Sequence, residues 1–328
     1  GFYCKVAIRE TIFIFVFIVF IFCVIKSMAS AVVREGAAIH WFRKGLRLHD
    51  NPALVEACKR STKVYPLFIL DPKFCQGQMS VNRHRFLLQS LEDLDRSLRG
   101  IGTRLFVVHG QPEIQLPELV KKWDVNLLTY EKDIGPYSVE RDQKVIELLS
   151  SIEISGHETH NLFELERYLA KSKKGPPKSY QSFCDIFKSC GNVRMPLPAP
   201  TLEDMPTSAG KTEEKEDQYN VPSLTDIGYS ADDIPTSSEM FPGGETEALR
   251  RLKEKVHDQP KWVAAYEKPN TSPNALEPTT TTLGPYLTMG CLSSAAFYHE
   301  VKAINDRSPG HSQPPMSLHG QLLWRYVV

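Results

Sequence analysis

Residues Ala37–Leu54, AAIHWFRKGLRLHDNPAL, decide the fold. Ala37–Trp41, apolar apart from His40, reads as a strand. It runs into three cations, Arg43, Lys44 and Arg47. Asp50-Asn51-Pro52 then reads as a helix entry, because Asp or Asn can cap and Pro suits the first turn. The expected helix is Pro52–Cys58. On physics alone the cationic loop reads as a surface loop whose arginines pair with carboxylates.

Outward from this stretch the pattern repeats. Strands are expected at Lys63–Leu70, Leu105–His109 and Leu127–Tyr130, with a weak fifth at Ile152–Ser155. Helical spacing is expected over Val81–Leu98, Glu113–Lys122 and Val139–Leu149. In Val81–Leu98, Phe86, Leu87, Leu91, Leu94 and Leu98 share one side, and Glu92, Asp93, Asp95 and Arg96 the other. Alternating strands and helices imply an α/β fold: a Rossmann-like parallel five-stranded sheet with helices on both faces, then a linker and the start of an all-α domain. Such sheets bind ligands at the C-terminal ends of their strands. No GxGxxG follows the first strand, so the dinucleotide fingerprint is absent.

Composition is that of a globular protein, with 41% hydrophobic and 24% charged residues in a chain of 328. Lys plus Arg and Asp plus Glu balance at 39 each, so net charge gives no sign of a nucleic-acid partner. The seven cysteines show no metal-ligand spacing and suggest reduced thiols. Residues 1–30 form a hydrophobic leader. Its run Ile12–Ile25 is short for a membrane span and has basic flanks. Signal-like leader, anchor, and sequence upstream of a start at Met28 stay open as readings.

Residues 161–241 read as a connector. Helices are expected at Glu164–Lys174 and Tyr180–Lys188. Pro196, Pro198, Pro200, Pro206 and the charged run Lys211–Asp217 then suggest an exposed, mobile linker. Lys171–Lys174, KSKK, is a weak nuclear-localisation pattern. Phe241–Leu252, FPGGETEALRRL, opens with a turn and places Glu245 and Glu247 near a helix start, which suits the helix dipole. Thr279–Thr282 precedes Leu283-Gly284-Pro285 and an apolar run. Hydroxyls and unpaired N–H groups there could seat a phosphate. In isolation a plain N-cap or a β-prone tract is the better reading.

Several segments together resemble the photolyase/cryptochrome family, closest to (6-4) photolyases and animal-type cryptochromes. WFRKGLRLHDNPAL, NRHRFLLQSLEDLD, RLFVVHGQP and DIGPYSVER occur in that family's order. FPGGE, YEKPN, the threonine segment and HSQPPMSLHGQLLWR follow, also in order. A generic nucleotide-binding or electron-transfer protein would need these ordered matches by chance. Thr159–Glu166, THNLFELE, departs from the family's Thr-Leu-Tyr-type segment and puts the exit from the α/β domain in doubt.

The resemblance implies a photolyase-type α/β domain over 36–160, the connector over 161–241, and the N-terminal part of a helical FAD-binding domain over 242–328. It implies FAD as cofactor and an optional antenna pigment of folate or deazaflavin type in the α/β domain. By resemblance Lys268 lies near the flavin, and Thr280, Thr281, Thr282, Leu283 and Gly284 form the loop over the FAD pyrophosphate. Gln321 contacts FAD, and Trp324 and Arg325 line the region where flavin and lesion meet. The family usually has Ser where this chain has Gly284, so one phosphate-bonding hydroxyl is lost. Relatives continue past Trp324-Arg325 with Glu and aromatic residues, whereas this sequence reads Tyr326-Val327-Val328 and stops. The expectation is therefore a C-terminally truncated chain without most of the flavin cavity.

The function implied is a fragment of a flavin-dependent (6-4) DNA photolyase-like protein acting on UV-damaged DNA. The alternative is an animal-type cryptochrome that binds clock or transcription proteins without repair. A third reading is a remnant that folds only as the α/β domain. A nuclear or cytoplasmic location follows from the family, and a membrane only if the N-terminal run is a working anchor.

Overall fold

The computed structural model describes residues 34–75, 80–172, 175–206, 216–234, 240–268 and 279–326. The N-terminal apolar run lies outside them, as do Lys173 and Lys174 of the basic tract and Lys211–Lys215 of the charged run. No helix among the described residues is long and apolar enough to cross a membrane.

β1 (Ala37–Phe42) is buried along its whole length, which explains a sequence that is apolar except for His40, whose ring bonds Thr129 and Asn51. α1 (Pro52–Arg60) starts where Asn51 caps it, the Asn51 side chain accepting from the Leu54 N–H at 3.0 Å. β2 (Lys63–Leu70), a turn of helix α2 (Pro72–Cys75) and α3 (Val81–Gly100) follow. Leu91, Leu94 and Leu98 on the apolar side of α3 are fully buried. β3 (Phe106–His109), α4 (Pro112–Lys122), β4 (Val125–Glu131), α5 (Pro136–Leu148) and β5 (Glu153–His157) complete the unit. The fifth strand lies a little later than its sequence suggests, because Ile152 closes the preceding turn through its N–H to the Leu149 carbonyl.

All strand pairs are parallel, in the order β3-β2-β1-β4-β5. The order reverses between β1 and β4, the place where open α/β sheets usually form a ligand crevice. Apolar clusters cover both faces. One gathers Ile39, Trp41, Tyr65, Leu128 and Tyr130. The other runs continuously from Phe42, Leu91 and Leu94 into Phe183, Phe187, Tyr286, Leu292 and Leu322.

The connector helices join this second cluster. α6 (Leu165–Lys171) and α7 (Tyr180–Ser189) pack together, and Leu162, Phe163, Phe183 and Phe187 are buried. The proline-rich stretch is tied down as well. Leu197 exchanges bonds with Asp50, its carbonyl accepting from the Asp50 N–H at 2.8 Å and its N–H donating to the Asp50 carboxylate at 3.1 Å. The doubtful exit from the α/β domain is anchored too, since Thr159 donates its hydroxyl to Glu131.

The remaining helices are α8 (Glu245–Leu252), continued by a π-helical turn Lys253–His257, α9 (Pro260–Ala265), α10 (Gly284–Met289), α11 (Ser294–Asp306) and α12 (Leu318–Trp324). α8 begins directly after the Pro-Gly-Gly turn, with Gly244 at its N-cap. Glu245 does more than complement a dipole: its buried carboxylate accepts from the Leu48 and His49 N–H groups at 2.8 and 2.9 Å.

Candidate functional site

Among the described residues, the sheet's reversal point and a cleft in the helical part differ in how their polar groups are used. To the first, the loop after β1 delivers Arg43 and Arg47, and β4 delivers Glu131. These arginines do pair with carboxylates, but they are buried, not on the surface. Arg47 bonds Glu131 at 3.1 Å with its side chain only 2% exposed. It also donates to the Asp50 carbonyl at 3.0 Å and to the Gly290 carbonyl at 2.9 Å. Arg43 bonds Asp142 at 2.5 Å, and its guanidinium lies 4.8 Å from the Trp41 ring and 4.6 Å from Tyr130.

A buried charge is costly unless paired, so these pairs exist because the loop is covered. Burial would raise the Glu131 carboxyl, but Arg47 and the Thr159 hydroxyl bring it below its ordinary value. What covers the loop is the turn after α10. The Gly45 and Leu46 N–H groups donate to the Met289 carbonyl at 3.0 and 3.3 Å. Gly290 has φ 68, and a Cβ built on it would sit 2.2 Å from the Gly45 nitrogen, so only glycine allows this approach. The reversal point is thus filled by the protein's own charges and used to dock the helical part.

The second place is a cleft of about 410 Å³ in the helical part. Thr280, Thr281, Thr282, Leu283 and Gly284 line it together with Gln321 and Arg325 of the α12 region. Seven residues named from sequence thus meet in one cleft although the chain separates them into two segments. Lys268 and Trp324 are not among its lining. Lys268 is exposed, and its backbone N–H donates to the Met316 carbonyl at 2.8 Å. Trp324 faces the connector and stacks on Tyr180, with centroids 4.5 Å apart.

The polar groups of this cleft are unequally committed. The Thr282 hydroxyl donates to the Thr281 carbonyl at 2.7 Å and accepts from Arg251 at 2.8 Å. Gln321 donates to the Pro315 carbonyl at 2.8 Å. Arg325 donates to the Thr288 hydroxyl at 3.4 and 3.5 Å, near the limit of a hydrogen bond. Gly284 is exposed, and a Cβ built on it meets nothing within 4 Å. A serine hydroxyl would fit there, and glycine leaves its place open.

The threonines do not sit in the first turn of a helix. α10 starts only at Gly284 and is six residues long, so the dipole behind an anion site here is small. Phe241, Tyr266, Phe297, Leu318 and Leu322, which sequence reading did not assign, supply apolar lining. A second cavity of about 470 Å³, lined by Glu254, Lys255, Gln259, Trp262 and Thr279, shares Thr280 with the first. No cluster of metal-ligating side chains occurs among the described residues, and Cys58, Cys184, Cys190 and Cys291 are buried free thiols.

The pattern of a DNA photolyase domain matches residues 38–201. Cryptochrome-1 of Sylvia borin is 40% identical over 292 residues, covering 88% of this chain and 47% of that protein. The chain spans about half the length of the curated relatives it matches. The structure of a Synechocystis cryptochrome superposes with a TM-score of 0.71 at 24% identity, over 89% of this chain and 60% of that one. An archaeal photolyase from Sulfolobus tokodaii, solved with two FAD molecules, superposes with a TM-score of 0.62 at 24% identity, over 88% and 58%. Both structural likenesses bear on the fold alone.

Proposed function

The chain belongs to the DNA photolyase family, a flavin-binding family that includes the cryptochromes, and on that premise we propose that its helical cleft seats the diphosphate of FAD. The observation that carries this reading is the meeting of the threonine loop with Gln321 and Arg325 in one cleft. The residues present fit the group. A diphosphate needs donors and positive charge, and Arg325 supplies a guanidinium whose bonds to Thr288 are long enough to exchange for better ones. Thr280 and Thr281 supply hydroxyls at the wall, and the apolar lining suits a ring system beside it.

When bound, FAD supplies light-driven electron donation. The chain's own part is to hold the diphosphate, exclude water along the apolar wall, and fix the cleft to the sheet through Gly290. In the first reading, the whole protein acts as a (6-4) photolyase on a pyrimidine photoproduct flipped out of DNA. The second reading is a cryptochrome that signals through protein partners, favoured by the names of relatives such as that of Sylvia borin. Nuclear work suits both readings, and an antenna pigment in the α/β part suits the first.

The test is reconstitution of the full chain with FAD. Flavin absorbance that co-purifies with the wild-type chain, and falls at least about tenfold in affinity with Arg325→Ala, is the expected result. Equal affinity for both proteins would remove the cleft from consideration. Light-dependent repair of a (6-4) lesion separates the first reading from the second.

A further inference from the structure

Thr282 has φ 57, the left-handed region, which a β-branched residue rarely occupies. Its neighbours explain how the conformation is held. Its single O–H is given to the Thr281 carbonyl at 2.7 Å, and its oxygen accepts from Arg251 at 2.8 Å. A phosphate oxygen needs a donor, and Thr282 has no further side-chain donor to give.

Arg251 is itself held from several directions. It donates to Glu247 at 2.6 Å within α8 and to the Met240 carbonyl at 2.7 Å. Its guanidinium lies 5.3 Å from the Phe241 ring and 5.4 Å from the Tyr286 ring. Tyr286 is fully buried, and its hydroxyl donates to the Pro242 carbonyl at 2.7 Å. One guanidinium therefore joins α8, the loop before it and the threonine loop, and its side chain is only 12% exposed.

From these contacts we infer that Arg251 is a positioning residue for the threonine loop, and that Thr282 serves the site through its backbone shape and not through a hydroxyl offered to the ligand. Strained residues of this kind persist only where the surroundings fix them. Arg251 fixes Thr282, and the strained turn keeps Thr280 and Thr281 on the cleft wall. The inference rests on the reading of the cleft as a diphosphate seat, but its physical core concerns the ligand-free loop.

Two substitutions at one position decide it. Thr282→Gly adopts φ 57 without strain and needs no pin. Thr282→Val keeps the strain and loses the bond to Arg251. FAD affinity of the full chain is expected to stay within about twofold for Thr282→Gly and to fall about tenfold for Thr282→Val, the size of one hydrogen bond to a charged group. Arg251→Gln is expected to weaken binding like Thr282→Val, and the double variant Arg251→Gln with Thr282→Gly to recover most of it. A Thr282→Gly variant as weak as Thr282→Val would make Thr282 a direct ligand contact and overturn the inference.

Amide hydrogen exchange at residues 281–284 of the ligand-free chain supplies a readout independent of flavin. Thr282→Val and Arg251→Gln should speed exchange by at least about tenfold, and the double variant should reverse the effect of Arg251→Gln. Unchanged exchange in both single variants would overturn the inference even if FAD binds. Failure of the wild-type chain to bind FAD, with the exchange pattern as expected, would count against the diphosphate reading alone.

Discussion

Arg47 and Arg325 place the same guanidinium beside threonine in two parts of the molecule, and their surroundings give them opposite uses. Arg47 is buried against Glu131 and bonds Asp50 and Gly290 on three sides. Arg325 stands at a cleft and holds one hydroxyl at the limit of bonding distance. A buried, paired charge fixes a structure, whereas a partly exposed charge on a cavity wall can take a ligand. The sheet's reversal point, where α/β folds usually bind, is therefore spent on assembly here. In the proposed reading the binding surface lies in the helical part.

The strongest way to break this comparison is to remove Arg47. Arg47→Ala leaves Glu131 buried without its partner, and should cost about 3–5 kcal/mol of stability in urea unfolding. A loss below about 1 kcal/mol, as for a surface pair, would return the loop to the surface reading.

Gly290→Ala tests the same contact from the other side. Its Cβ would meet the Gly45 backbone, and an expected loss of about 1–3 kcal/mol should be read by thermal unfolding. An unchanged melting temperature would mean the two segments do not touch as described.

Acid sharpens the contrast between dry and open regions. Burial above all holds His40 down to about 3, and His160 and His319 down to about 4. In the unfolded chain these imidazoles take up protons near roughly 6.5. The unfolded state then binds more protons between those values. Stability is whole above that upper value and falls as pH drops through the window. The urea midpoint should follow this slope, and a midpoint flat across it would show the three rings to be solvated.

The smallest effect belongs to the open cleft. Gly284→Ser adds a hydroxyl into free space, and should tighten FAD binding by roughly three- to tenfold, the worth of one net hydrogen bond. Unchanged affinity would place the diphosphate elsewhere along the cleft.

Much of this was legible from residue order. The all-buried β1 declares itself through a short, mostly apolar run and the amphipathic α3 through a period of 3.6 residues, and Asn51-Pro52 marks the start of α1. The segments that meet in the cleft were legible only through resemblance, because nothing local links Thr280 to Arg325. Burial of Arg43 and Arg47 was illegible for a plain reason: a cationic loop looks the same whether or not another part of the chain covers it. The cover comes from Gly290, far along the sequence. The threonine tract misled in one respect. Its hydroxyls look equivalent in sequence, but Thr282 takes a left-handed backbone and its hydroxyl is bonded to the Thr281 carbonyl and to Arg251.

The claim at the centre is that the helical cleft, and not the sheet's reversal point, holds the flavin diphosphate. The most direct test is the hydrogen-exchange footprint of FAD on the full chain. Protection at residues 279–288 and 318–325, with the loop at 43–50 unchanged, is the predicted result. Protection confined to residues 43–50 and 131–135 would contradict it.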